Sequence, residues 1–168
     1  MQFPWQRCPS QDAAASDTRP RVFLPAIAPS GLSPEERRDY LREHYWDRFD
    51  FADTLFTVRA DTLQMVEAYA RYIALISDRP TDGAPIDSLM RRASSSRKML
   101  DYFAMLAERV LHDPNSPLRN DEFYIPVLQA QLRAPWYDEY ERIAPEYDLE
   151  MAMQNRLGPP ANDFRYTL

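Results

Sequence analysis

A chain of 168 residues has room for one domain, or one domain with a short arm. Its 45% hydrophobic and 12% aromatic content does not read as a disordered chain, and three glycines beside fifteen prolines leave few positive-φ hairpin turns, which argues against a many-stranded β protein. Twenty basic residues against 26 acidic ones give a formal charge of −6; no basic stripe offsets phosphates, so a nucleic-acid partner is not expected.

The first 31 residues read as an extended arm. "SQDAAASDTRP" is small and polar, and "VFLPAIAPSG" is uncharged and holds two prolines. Polyproline or extended backbone is expected there, with Val22, Phe23, Leu24 and Ile27 available to lie on a core. The opening "MQFPWQRCPSQ" lacks the apolar stretch of a secretory signal. Cys8, the single cysteine, allows no internal disulfide, C-x-x-C pair or cysteine-rich zinc site. The preceding Gln6 and Arg7 do not suit lipid attachment at Cys8. No apolar run approaches the roughly 18 residues of a membrane-spanning helix.

Residues 32–158 read as a helical domain. "SPEERRDYLREHYWDRF" has Ser33 at the N-cap, Pro34 at N1, and Glu36 three residues on to complete a capping box. Leu41, Tyr45 and Phe49 recur every four residues, which predicts one buried stripe on a helix running through them. "ADTLQMVEAYARYIALISDRP" predicts a central helix, apolar on a face with Leu63, Val66, Ala70, Ile73 and Ser77 and on another with Met65, Tyr69, Tyr72 and Ile76. Pro80 and Gly83 are expected to end it. From Ala84 to Asp113 the pattern predicts two helices, or one broken at Ser94, Ser95 and Ser96, whose hydroxyls compete for backbone hydrogen bonds. Met99, Phe103, Leu106 and Val110 form the stripe of the second half. A proline-fixed loop, "HDPNSPLRN", precedes a helix capped by Asn120, which Pro126 is expected to kink or delay. A last helix is expected from near Pro145, with Leu149, Met153 and Leu157, and with Gly158 at its end. The coda "ANDFRYTL" alternates Phe164, Tyr166 and Leu168 with polar residues, a short strand pattern without an evident partner.

Chemistry is sparse. No Gly-x-Ser-x-Gly elbow and no Gly-rich phosphate loop is present. His44 and Asp47 share a helix face, and Asp50 or Asp53 could approach, which is the one hint of a metal set; the alternative is a partly buried imidazole bonded to Asp47. Carboxylate pairs in "WYDEYER" and "PEYDLE" read as solvated faces. Tyr45, Trp46, Phe49 and Tyr124 are either core rings filling helix crevices or a partly exposed aromatic docking surface.

The stretches "LREHYWDRFDFADT", "KMLDYFAMLAERVLHDPNSPLRNDEFYIPVL" and "LEMAMQNRLGPPANDFRYTL" resemble a helical bacterial domain of unknown function found ahead of a thioredoxin-like domain in exported proteins. The resemblance covers about residues 22–168. "GPPANDF" is similar to the lead-in of thioredoxin-like and peroxiredoxin-like domains, so residues 159–168 would be a linker and the first strand of that partner fold. The resemblance implies a periplasmic or envelope-exposed protein whose redox chemistry lies in the downstream domain.

The reading is therefore an all-α bundle of about five to seven helices with an extended N-terminal arm and a strand-like tail. Its expected role is a noncatalytic accessory domain, without a cofactor of its own, that meets a thioredoxin-like domain in cis or a client protein. Two alternatives stand beside it: a small-molecule or metal-dependent enzyme with a pocket near His44, Asp47 and Asp53, and a homodimeric structural module.

Overall fold

The computed structural model describes residues 19–78 and 82–154. Among these, seven α-helices follow in order: α1 (Pro34–His44), α2 (Phe56–Arg59), α3 (Thr62–Ser77), α4 (Ala84–Ala93), α5 (Arg97–Ala107), α6 (Asp121–Arg133) and α7 (Glu139–Gln154). α5 runs on as a π-helical turn, Glu108–His112. No strand is present among the described residues, which hold one parallel bridge between Arg21 and Ala60. The expectations on Cys8, Pro80, Leu157, Gly158 and the alternating Phe164, Tyr166 and Leu168 lie outside the described residues.

Short polar side chains set most helix starts. The Glu36 N–H donates to the Ser33 hydroxyl, and the Ser33 N–H donates to the Glu36 carboxylate at 2.8 Å. These bonds from the Ser33 backbone and hydroxyl hold the Glu36 carboxyl below its usual range. Ser96 accepts from the Met99 N–H, and Asn120 accepts from the Phe123 N–H as the sequence predicts. The serine run does break the chain: Ser94 and Ser95 lie between α4 and α5.

Two boundaries differ from the expectation. α1 ends at His44, although the apolar spacing continues to Phe49. Residues 45–48 form successive turns instead, and they swing Tyr45, Trp46 and Phe49 inward while α1 itself buries nothing. α7 begins at Glu139 rather than near Pro145. Asp138 accepts from the Glu141 N–H at 2.9 Å, and Glu141 accepts from the Asp138 N–H at 3.1 Å, a reciprocal cap that starts the helix early. Pro145 then sits inside α7, with its ring buried.

Pro126 sits inside a continuous α6. It has no N–H to give to the Glu122 carbonyl one turn back. Gly83, at the start of α4, approaches that same carbonyl. A Cβ built on Gly83 would lie 2.9 Å from the Glu122 oxygen and 3.0 Å from Pro126 Cγ. Gly83 also has φ +79°, which a side chain rarely adopts.

The core is one cluster drawn from the arm, the 45–51 segment and α3 to α6. α3 buries Met65, Ala68, Tyr69, Tyr72, Ile73 and Ile76, whereas Leu63 is exposed. α5 and its π-helical turn bury Met99, Phe103, Leu106 and Val110, the expected stripe. α6 packs between α4 and α7. The arm is pinned rather than loose from Arg21 on. Gln64 clamps Phe23 from both sides of its peptide, accepting from the Phe23 N–H at 3.1 Å and donating to its carbonyl at 2.7 Å. Phe23 enters the core; Val22, Leu24 and Ile27 stay outside it.

Candidate functional site

The four aromatic candidates are all buried. Trp46 is 3% exposed, and Tyr45, Phe49 and Tyr124 are nearly as enclosed. Trp46 is the centre of a ring cluster. Phe23 stacks on it with centroids 4.8 Å apart, and Phe103 meets it edge-on at 5.3 Å. Phe49 meets Phe103 edge-on at 5.3 Å as well. The Tyr45 hydroxyl donates to the Ala68 carbonyl at 2.8 Å and so ties the turn to α3. Tyr124 lies apart from this cluster and stacks on His112, centroids 4.7 Å apart. These rings hold the body together, and their faces are spent on one another.

Arg92 fastens the turn from outside. Its guanidinium donates to the Trp46 carbonyl at 3.1 Å and lies 4.5 Å from the centre of the Phe51 ring. A groove of about 360 Å³ runs beside it, lined by Arg42, Glu43, Trp46, Tyr72, Pro85, Ser88, Leu89 and Arg92. Arg42 is already engaged there, with Asp39, with Asp78 at 3.1 Å, and with the Leu75 carbonyl at 3.0 Å.

His44 and Asp47 do meet. His44 Nδ1 lies 2.7 Å from Asp47 Oδ2, on a half-exposed surface. Asp47 also faces Arg92 at 3.4 Å, and the His44 ring rests on Tyr40 with centroids 4.3 Å apart. Asp53 does not join them, because it pairs with Arg21. Asp50 caps its own turn, accepting from the Ala52 N–H at 2.9 Å. Among the described residues no three His, Cys, Asp or Glu side chains gather into a metal-binding group. This is the imidazole bonded to Asp47 that the spacing allows.

Burial governs the titrating groups of the core. It pushes the phenols of Tyr72, Tyr102 and Tyr137 up to about 12, and those of Tyr69 and Tyr124 higher still. In the unfolded chain a phenol ionises near pH 10. The folded state therefore keeps its full tyrosine contribution below about pH 10 and loses it as pH rises through about 12. Phenolate absorbance from these buried rings is expected to appear together with loss of helical circular dichroism in that window. Full ionisation of all ten tyrosines near pH 10 with helicity intact would contradict their burial.

The feature that the sequence reading missed is on α7. Tyr140, Ile143, Tyr147 and Met151 are 82%, 59%, 62% and 39% exposed. Their spacing of three, four and four places them in one stripe along the helix. The opposite face of the same helix carries the buried Pro145 and Ala152 and the half-buried Leu149. Glu139, Glu146 and Glu150 flank the stripe on one side, and Glu141 and Asp148 on the other. α7 is thus apolar on two faces, with only one of them covered. The spacing was visible in "EYERIAPEYDLEM"; a helix start placed at Pro145 hides its first half.

Residues 7–155 match the family described as "Domain of unknown function (DUF5106)". The chain belongs to this family. The DUF5106 match spans every described helix and the described part of the arm, ending one residue past α7. Among curated proteins, none matches the chain. A crystal structure described as that of a thioredoxin-like protein from Bacteroides caccae ATCC 43185 is similar, with a TM-score of 0.69 and 37% sequence identity. The alignment covers 82% of this DUF5106 chain and 50% of that one, so the chain spans about half the length of the structure it resembles. No helix among the described residues is long and apolar enough to cross a membrane.

Proposed function

We propose that this helical domain is a noncatalytic accessory domain of a thioredoxin-like protein exposed to the bacterial periplasm or envelope. It precedes the redox domain and presents a client to it, or sets its access. On this reading residues 32–158 are the helical body, and residues 159–168 lead into the next fold.

The observation that carries the proposal is the likeness to a thioredoxin-like protein twice as long as the matched region. The matched part is helical, which leaves the unmatched half to supply the thioredoxin-like fold. The chemistry on this chain agrees with a non-redox part: a single cysteine cannot form a C-x-x-C pair, and the polar groups around His44 are engaged in pairs on the surface.

The test joins the 168-residue chain to the unmatched half of the Bacteroides caccae protein and measures disulfide reduction and peroxide consumption with and without it. The expected result is a rate or a substrate preference that depends on the helical part. Identical activity of the thioredoxin-like half alone would defeat the accessory role.

A further inference from the structure

We propose that the outward stripe of α7, formed by Tyr140, Ile143, Tyr147 and Met151, is the face on which the thioredoxin-like domain docks. This rests on the accessory reading above and assigns it a surface. Three observations favour that occupant.

The stripe is apolar and exposed on a helix whose other face is already packed. Scattered exposed apolar residues are ordinary, but four in helical register form a contiguous patch that marks an interaction site. Second, α7 is the last described helix, and the DUF5106 match ends at residue 155. A domain joined after that match starts close to this helix. A short tether holds a neighbour at an effective concentration in the millimolar range, so a modest apolar face suffices to seat it.

The third observation is charge. Between Glu139 and Gln154 there are five acidic residues and one basic residue, Arg142, a net of −4, of which Glu141 is paired with Arg97 of α5. The acids line both edges of the stripe. A second copy of this chain would set acidic edge against acidic edge, and like charges across an interface disfavour the pairing. The fitting partner is an apolar patch rimmed by lysine or arginine, and the proposal places that patch on the thioredoxin-like domain.

The experiment titrates the isotope-labelled 168-residue chain with the unmatched half of the Bacteroides caccae protein up to about 1 mM, the range a tether makes relevant. Ring signals of Tyr140 and Tyr147 are expected to shift, and added salt is expected to weaken the binding. The double variant Tyr140→Ser/Tyr147→Ser alters two well-exposed rings, so the body stays folded; it is expected to bind at least about tenfold more weakly. No shift in the wild-type chain, or undiminished binding by the double variant, overturns the proposal. So does a stripe-dependent dimer of the chain in sedimentation, which would make a second copy the occupant. The joined protein separates the two readings. If its activity depends on the helical part but is indifferent to the double variant, the accessory role stands and the surface is wrong. If its activity ignores the helical part altogether, the accessory role itself fails.

Discussion

Trp46→Ala is expected to lower the unfolding free energy by about 3–5 kcal/mol, the range for truncating a large buried aromatic. The ring is 3% exposed and touches Phe23, Tyr45, Phe49, Tyr69, Tyr72 and Phe103. Truncation removes its own buried area and also the support that six neighbours take from it. The arm, the 45–49 turn, α3 and α5 all meet at this ring, so little of the vacated space can be closed by one element moving. Urea denaturation followed by circular dichroism reads the loss. A change within about 0.5 kcal/mol would mean that the ring is on the surface in solution.

Gly83→Ala is the second large effect, expected at about 2–4 kcal/mol. Two costs combine. A left-handed backbone costs an L-residue about 1–2 kcal/mol. The new methyl also meets the Glu122 carbonyl at 2.9 Å, and that oxygen belongs to backbone inside α6, which can retreat only by moving the helix. Gly31 supplies the control. Its φ is +94°, but nothing lies within 4 Å of the position a Cβ would take. Gly31→Ala should therefore show the backbone cost alone, about 1–2 kcal/mol. If the two variants unfold at the same denaturant concentration, α4 does not approach α6 as closely as the structure has it.

The parts of the fold that sequence reading reached are those governed within three or four residues. Ser33 and Asn120 cap their helices through side chains that reach their own backbone, and such signals are complete in the local sequence. The parts it missed depend on where the chain goes next. Leu41, Tyr45 and Phe49 keep a helical period across the end of α1, since spacing records which residues face inward and not the dihedral angles that bring them there. The arm's Phe23 cannot be separated from Val22 and Leu24 by pattern, because Gln64, forty-one residues away, makes the choice. The true start of α7 was legible in Asp138 and Glu141, but Pro145 offered a competing start signal. That competition concealed the candidate docking face. The aromatic run, by contrast, advertised itself in the sequence for the same reason that it packs so well: many rings in few residues.

The position of Phe23 bears on the order of assembly as the ribosome releases the chain. Phe23 leaves first, yet its stacking partner Trp46 is completed only when Phe103 arrives with α5. Closing that cluster joins segments far apart in the chain and carries the loop entropy of everything between them. Until α5 emerges, the arm and the 45–49 turn have only α3 to lean on, through Gln64, Ala68, Tyr69 and Tyr72. The domain thus completes its centre late, and a chaperone that meets the N-terminal third meets it before the centre has closed.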